Sequence, residues 1–213
     1  MSVAERLAAV QRRIERTGRD PETITIVAVT KSLAPEACKE ALAAGLTNLG
    51  ENRVHEGVTK MDAVNAGTWH LIGHLQTNKA RLAAERFAMI QSVDSAKLAE
   101  AIARANPRKQ VLLEVNVSRE PQKSGADPDG AMDLITRIAG LLDLQGLMAM
   151  GPSTGDPTPA FAELRVLRDE AEQRLGRPLP ILSMGMSGDF EAALAAGSTM
   201  LRLGQVLFGP RPA

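Results

Sequence analysis

Thr25-Ile26-Val27-Ala28-Val29-Thr30-Lys31 is a short run of β-branched and apolar residues that ends on a lysine. It has no helical spacing, and near-continuous apolarity is how a strand buried on both faces reads. Two readings of Lys31 stand open at this point. Either the strand merely reaches water there, or the amine is held in a site.

Working outward, the same strand-then-helix unit recurs along the chain. Upstream, Ser2-Val3-Ala4-Glu5 has the capping-box form, and Val3, Leu7, Val10 and Ile14 share one helical face before Gly18 stops it. After the strand expected over 24–31, strands are expected over 46–52, 69–73, 87–93, 110–117, 144–150, 181–186 and 199–203, the last with a terminal Val206-Leu207-Phe208. Helices are expected between them, over 35–44, to about 64, over 77–86, to 105, over 129–140, 160–175 and 189–196. Asp94 or Ser95 can cap the fourth of these. Three prolines and two glycines in 151–159 mark a loop.

Eight short strands alternating with helices predict a single closed (β/α)8 barrel over 1–213, with an extra N-terminal helix. An open doubly wound sheet is the alternative. It is weakened because no Gly-x-Gly-x-x-Gly fingerprint follows the first strand.

Composition narrows the function. Hydrophobic content is 44% and charged content 23%, ordinary for a globular protein. Lys+Arg and Asp+Glu stand at 25 each, which gives no electrostatic reason to expect nucleic acid or a membrane surface as partner. No apolar run reaches membrane-spanning length and residues 1–20 lack a signal-peptide core, so a cytoplasmic protein is expected. The lone Cys38 sits in an Ala-rich helical stretch and reads as a packing residue. There is no tyrosine anywhere, which removes one common acid/base.

In a barrel of this kind the C-terminal strand ends converge on one face. Here they carry Lys31, Asn52, Gly73-His74, Asp94-Ser95, Asn116, Met150-Gly151, Ser183 through Ser187, and Arg202-Leu203-Gly204. Met184-Gly185-Met186-Ser187-Gly188-Asp189 and Arg202-Leu203-Gly204-Gln205 follow strands seven and eight, where phosphate sites of this fold are frequent. An ordinary helix start at Ser187 explains the first segment equally well. His55, His70 and His74 show no metal-binding spacing and read as structural, so no metal is expected.

Several stretches together resemble one family. They are Ala28–Lys31, Gly50-Glu51-Asn52-Arg53, Trp69 through Lys79, Val115-Asn116-Val117, Lys123-Ser124-Gly125, Gly146 through Met150, Ser183 through Ser187, and Arg202-Leu203-Gly204 with Phe208-Gly209. In unbroken order across the chain they are similar to the pyridoxal phosphate homeostasis proteins. Leu71 departs from the pattern where an aromatic is usual, and His55 where glutamine is common.

The resemblance implies a pyridoxal 5′-phosphate-binding barrel like the N-terminal domain of bacterial alanine racemase. It implies Lys31 as the amine of an internal aldimine, Ser187 with Gly204-Gln205 as the phosphate cradle, and Arg202 beside the pyridine nitrogen. Asn52 and Met184 are implied as surroundings of the cofactor. An apolar barrel mouth beside Arg202 is expected to disfavour the Lys31 ammonium and free the amine.

The resembled racemase uses a lysine and a tyrosine, the latter from a second domain. This chain has no tyrosine and ends at Ala213, shortly after the eighth expected strand. The expectation is therefore a monomeric carrier of the cofactor, with no catalytic residue of its own, that supplies dependent apo-enzymes. An amino-acid racemase, with His74 or another group as second base, and a phosphosugar-type barrel enzyme are the competing readings.

Overall fold

A computed structural model describes residues 1–210; Arg211, Pro212 and Ala213, the end of the domain expected over 1–213, lie outside the described residues. Helix α1 (Val3–Arg16) opens the chain with both capping-box hydrogen bonds between Ser2 and Glu5 made. Its face of Val3, Leu7, Val10 and Ile14 is buried.

Among the described residues eight parallel strands close into a barrel in chain order. They are β1 (Thr25–Val29), β2 (Asn48–Glu51), β3 (Thr68–Leu71), β4 (Met89–Val93), β5 (Gln110–Glu114), β6 (Asp143–Met148), β7 (Ile181–Ser183) and β8 (Met200–Leu203). The ring closes where β1 pairs with β8, Val27 opposite Arg202. The crossovers are α2 (Pro35–Ala43), α3 (Val54–Val64), α4 (Ala80–Arg86), α5 (Ala96–Ala105), α6 (Ala131–Ala139), α7 (Thr158–Leu175) and α8 (Phe190–Ala195), with α9 (Gln205–Phe208) after β8. No helix among the described residues is long and apolar enough to cross a membrane.

Strand alternation sorts the side chains into two cores. Ala28, Leu49, Leu71, Ile90, Leu113, Leu147, Leu182 and Leu203 face outward and pack with the helices in one apolar layer. At about 1.5–3 kcal/mol for each fully buried Leu or Ile, this layer is the main source of stability. Met89, Leu112 and Met148 form a second, separate cluster, on the inward parity. Val27, Val29 and Met200 share that parity, and the polar side chains among them are where the site begins.

Several boundaries differ from the sequence expectation. The runs expected as strands over 110–117 and 181–186 stop at Glu114 and Ser183. Gly185 takes φ +98°, which ends extended backbone, and Asn116 bonds Ala126 across a loop instead of continuing the ladder. The helix expected over 77–86 is a 3-10 turn (Thr77–Lys79) followed by α4. Val206-Leu207-Phe208 is helical, because Gly204 O accepts from both Leu207 and Phe208 N–H. Helix α7 starts two residues inside the expected loop, since Pro159 is tolerated in a first helical turn.

Gly146 in β6 has φ +156°, and a Cβ there would lie 1.8 Å from the Ile181 carbonyl oxygen. The β6–β7 pairing therefore requires glycine at this position. Gly146→Ala is expected to cost upward of about 3 kcal/mol, read as a fall in the urea midpoint; a loss under about 1 kcal/mol would show that β7 can shift to make room.

Candidate functional site

The inward positions of β2, β3, β4, β7 and β8 carry Asn48, His70, Gln91, Ser183 and Arg202, and these side chains form one hydrogen-bonded chain across the barrel. Arg202 Nη1 donates to Ser183 Oγ (2.8 Å) and to its carbonyl (2.7 Å), while Nη2 donates to Ala149 O (2.9 Å). Ser183 Oγ donates to Gln91 Oε1 at 2.7 Å. Gln91 Nε2 then faces His70 Nδ1 at 3.0 Å, and His70 Nε2 faces Asn48 Oδ1 at 3.0 Å.

Donor and acceptor roles follow from the ends of this chain. An amide nitrogen can only donate, so His70 Nδ1 accepts and Nε2–H donates to Asn48. Burial lowers the His70 pKa to about 4, so the ring is neutral at physiological pH, as the two contacts require.

Arg202 is 4% exposed. Burial brings its guanidinium down to about 10, with Glu114 opposing, so it stays a cation at neutral pH. Glu114, at the end of β5, is pushed up to about 7 by burial, against the pull of Arg202. Its Oε2 is buried without a hydrogen-bond partner.

Above this chain, at the C-terminal strand ends, lies a cavity of about 290 Å³. Lys31, Asn52, Ser187, Arg202, Gly204 and Gln205 line it, so the fold brings these six expected residues together. Val29, Ile72, Met150 and Met186 supply apolar walls, and Gly188 completes the rim. None of these lining residues is acidic.

Met184 is not among the lining residues. It is fully buried in the outer core, because alternation along β7 turns Ser183 inward and its neighbours Leu182 and Met184 outward. Met186, two residues on and past Gly185, reaches the cavity instead.

Lys31 occupies the corner of a tight turn in which Leu33 N–H bonds Thr30 O at 3.0 Å. Ser187 is drawn toward α9, its Oγ accepting from Val206 N–H at 3.2 Å. The loops after β7 and β8 are thus tied to each other over the cavity.

Other nominated strand ends lie elsewhere. His74 Nδ1 is 3.2 Å from Asp94 Oδ2, and His74 lines a neighbouring cleft of about 490 Å³ with Arg53, His55 and Lys79. Asn52 borders both spaces. Ser95 caps α5. Asn116 holds its own loop, donating to Glu120 O at 2.9 Å. No group of three or more His, Cys, Asp and Glu suited to a metal occurs among the described residues.

Sequence reasoning missed Gln91 and Glu114, and it missed a buried cluster of Glu51, Glu56 and Lys60 beneath the Lys31 turn. For Glu114 a signal existed: a lone carboxylate inside Val111-Leu112-Leu113-Glu114-Val115 is unusual in an otherwise apolar strand.

The Glu114 carboxyl binds its proton more tightly folded than unfolded, so stability falls as pH rises from about 4.5 toward about 7 and then levels. Replacing Glu114 by Gln is expected to remove that decline, a difference on the order of 3 kcal/mol before relaxation. Urea titrations of both proteins at several pH values from 5 to 8 (roughly the span in which a displaced carboxyl titrates) measure it. Parallel curves would show that Glu114 is ionised throughout, paired with Arg202.

Comparison with known proteins places the molecule. The family model described as "Alanine racemase, N-terminal domain" matches residues 5–212. The pyridoxal phosphate homeostasis protein of Aquifex aeolicus is 38% identical, over 99% of this chain and 99% of that protein. PipY of Synechococcus elongatus, whose structure was solved with PLP bound, superposes with a TM-score of 0.86 at 36% identity, covering 98% of this chain and 100% of that one. Alanine racemase of Clostridium difficile shares the fold, with a TM-score of 0.80 at 17% identity, over 98% of this chain and 58% of the racemase. The barrel, closed in chain order and matched from end to end by relatives of its own length, belongs to the alanine racemase N-terminal domain family and, within it, to the pyridoxal phosphate homeostasis proteins.

Proposed function

We propose that this protein binds pyridoxal 5′-phosphate in the cavity at the C-terminal end of the barrel, carries it covalently on Lys31 and releases it to enzymes that depend on it. One observation carries this reading: an amine, a guanidinium, a hydroxyl and two carboxamides converge on a small, partly apolar cavity, with no acidic side chain among the described residues that line it. That donor set suits a phosphate ester on a flat ring. It fits the cofactor that PipY holds in its solved structure.

In this reading Ser187 and the backbone at Gly204 and Gln205 hold the phosphate, with Gly188 leaving room at the rim. Val29, Ile72, Met150 and Met186 bound the ring, Asn52 flanks it, and Arg202 presents a donor to its nitrogen edge. Met184 supports the wall from behind. When bound, the cofactor supplies an aldehyde that condenses with a neutral amine, losing water.

The residues favour carrying over catalysis. Guanidinium is a donor without an acceptor, so Arg202 offers the ring no carboxylate to keep its nitrogen protonated. The chain contains no tyrosine, and His74 is paired with Asp94 outside the cavity. The curated relatives carry a homeostasis name rather than an enzyme's. We further take the protein to act as a monomer in the cytoplasm, with apo-enzymes as its partners.

Borohydride reduction of the cofactor-loaded protein, followed by peptide mass spectrometry, is expected to fix the cofactor on Lys31 and on no other lysine, and Lys31→Ala is expected to abolish the adduct. An unmodified Lys31 would overturn the reading. Offered a panel of amino acids, the loaded protein is expected to turn over none faster than free cofactor does. Turnover lost in Lys31→Ala would instead establish a racemase-type enzyme.

A further inference from the structure

Beneath the cavity, three charged side chains that take no part in lining it are packed together. Lys60 on α3 is 4% exposed and Glu51 on β2 is fully buried. Lys60 Nζ donates to Glu51 Oε1 at 2.7 Å, to Glu56 Oε1 at 2.8 Å and to the Thr30 carbonyl at 2.7 Å. Burial pulls the Lys60 ammonium down, but its bonds to Glu51 and Glu56 outweigh this and hold it protonated. All three N–H groups are engaged, so Lys60 is no rival nucleophile.

Burying charges in this way seldom stabilises a fold relative to apolar packing. Glu51 Oε2 is moreover left buried without a partner. The cluster therefore calls for a reason beyond stability, and its contacts supply one. Thr30 hydroxyl donates to Glu51 Oε1 at 2.6 Å, and Ser32 N–H donates to Glu56 Oε1 at 2.6 Å. Thr30 and Ser32 are the two residues that flank Lys31.

Ser32 has φ +62°, a conformation that residues other than glycine, asparagine and aspartate rarely adopt. It occupies the third position of the turn, which type II turns reserve for glycine. The bond to Glu56 holds it there. Gly57 lets the cluster form: a Cβ at that position would lie 2.5 Å from the Phe87 ring and 3.4 Å from Glu51 Cβ. Helix α3 can thus lie close enough to the barrel for Lys60, one turn on, to reach Thr30.

We infer that Glu51, Glu56 and Lys60 form a positioning clamp that grips the backbone on both sides of Lys31 and aims its amine into the cavity. The inference rests on Lys31 being the amine that carries the cofactor. The clamp's bonds to the turn go to the Thr30 hydroxyl and carbonyl and to the Ser32 N–H. Its role is to hold the turn so that the nitrogen meets the aldehyde carbon in register, the C=N bond forming as water leaves.

Glu56 is the residue to test, because its side chain is 26% exposed and its loss leaves Lys60 and Glu51 paired. In Glu56→Ala, adduct formation with pyridoxal 5′-phosphate, followed by absorbance, is expected to slow about tenfold or more. The apo-protein should melt within about 4 °C of the parent. Affinity for pyridoxine 5′-phosphate, which has an alcohol in place of the aldehyde, should change less than about twofold, since no cavity-lining group is lost.

Glu56→Gln keeps an oxygen for Ser32 N–H and is expected to recover most of the rate. An unchanged rate in Glu56→Ala, or a parallel loss of pyridoxine 5′-phosphate binding, would overturn the clamp. Failure of the parent protein to form any adduct on Lys31 while binding pyridoxine 5′-phosphate would instead strike the covalent reading itself, and the clamp with it.

Discussion

The grip of Ser183 and Ala149 on the Arg202 guanidinium is the interaction on which the site depends. Taking a guanidinium out of water costs several kcal/mol, and this one is offset by charge-assisted bonds to two carbonyls and a hydroxyl. Those bonds set the direction of every hydrogen bond behind them. Ser183 must donate to Gln91, Gln91 must donate to His70, and His70 is fixed as the neutral Nε2–H tautomer facing Asn48. A barrel interior with this polar spine is rigid and single-valued. It delivers Arg202 to the cavity as a positioned donor with no acceptor character.

Two of the buried cations, Arg202 and Lys60, are handled in different ways. Arg202 ends the polar spine and borders the cavity. Lys60 has all its donors turned away to Thr30, Glu51 and Glu56. Between them sits Lys31, on a turn whose two flanks are held from α3 and β2. Under the proposed function, the fold fixes two of the cofactor's polar contacts, amine and ring edge, from the two strands of the β1–β8 seam. Release then depends on reversing one covalent bond, with little machinery that would redirect the chemistry.

The barrel was legible because its strands are short, largely apolar runs and its helices carry their own stops and caps, such as Ser2, Ser95 and Gly18. Six of the seven nominated site residues meet in one cavity because strand ends of such a barrel converge by construction. Boundaries failed where loop geometry overrides propensity, at Gly185 after β7 and at the Asn116–Ala126 bond after β5. Met184 lies one step of strand parity from Ser183, in the outer core, and does not line the cavity. The Lys60 cluster was hidden because a polar helix normally presents its charges to water. Only Gly57, demanding close approach to Phe87, turns that face inward, and no local pattern announces a partner thirty residues away in Thr30.

If Arg202 meets the cofactor ring as a donor, as proposed, the ring nitrogen carries no proton. Nitrogen NMR of the protein loaded with ring-¹⁵N pyridoxal 5′-phosphate measures this directly at neutral pH. The expected result is the chemical shift of a neutral, hydrogen-bonded pyridine, well downfield of a pyridinium, and a change in that shift when Arg202 is replaced. The shift of a protonated pyridinium in the parent protein would contradict it.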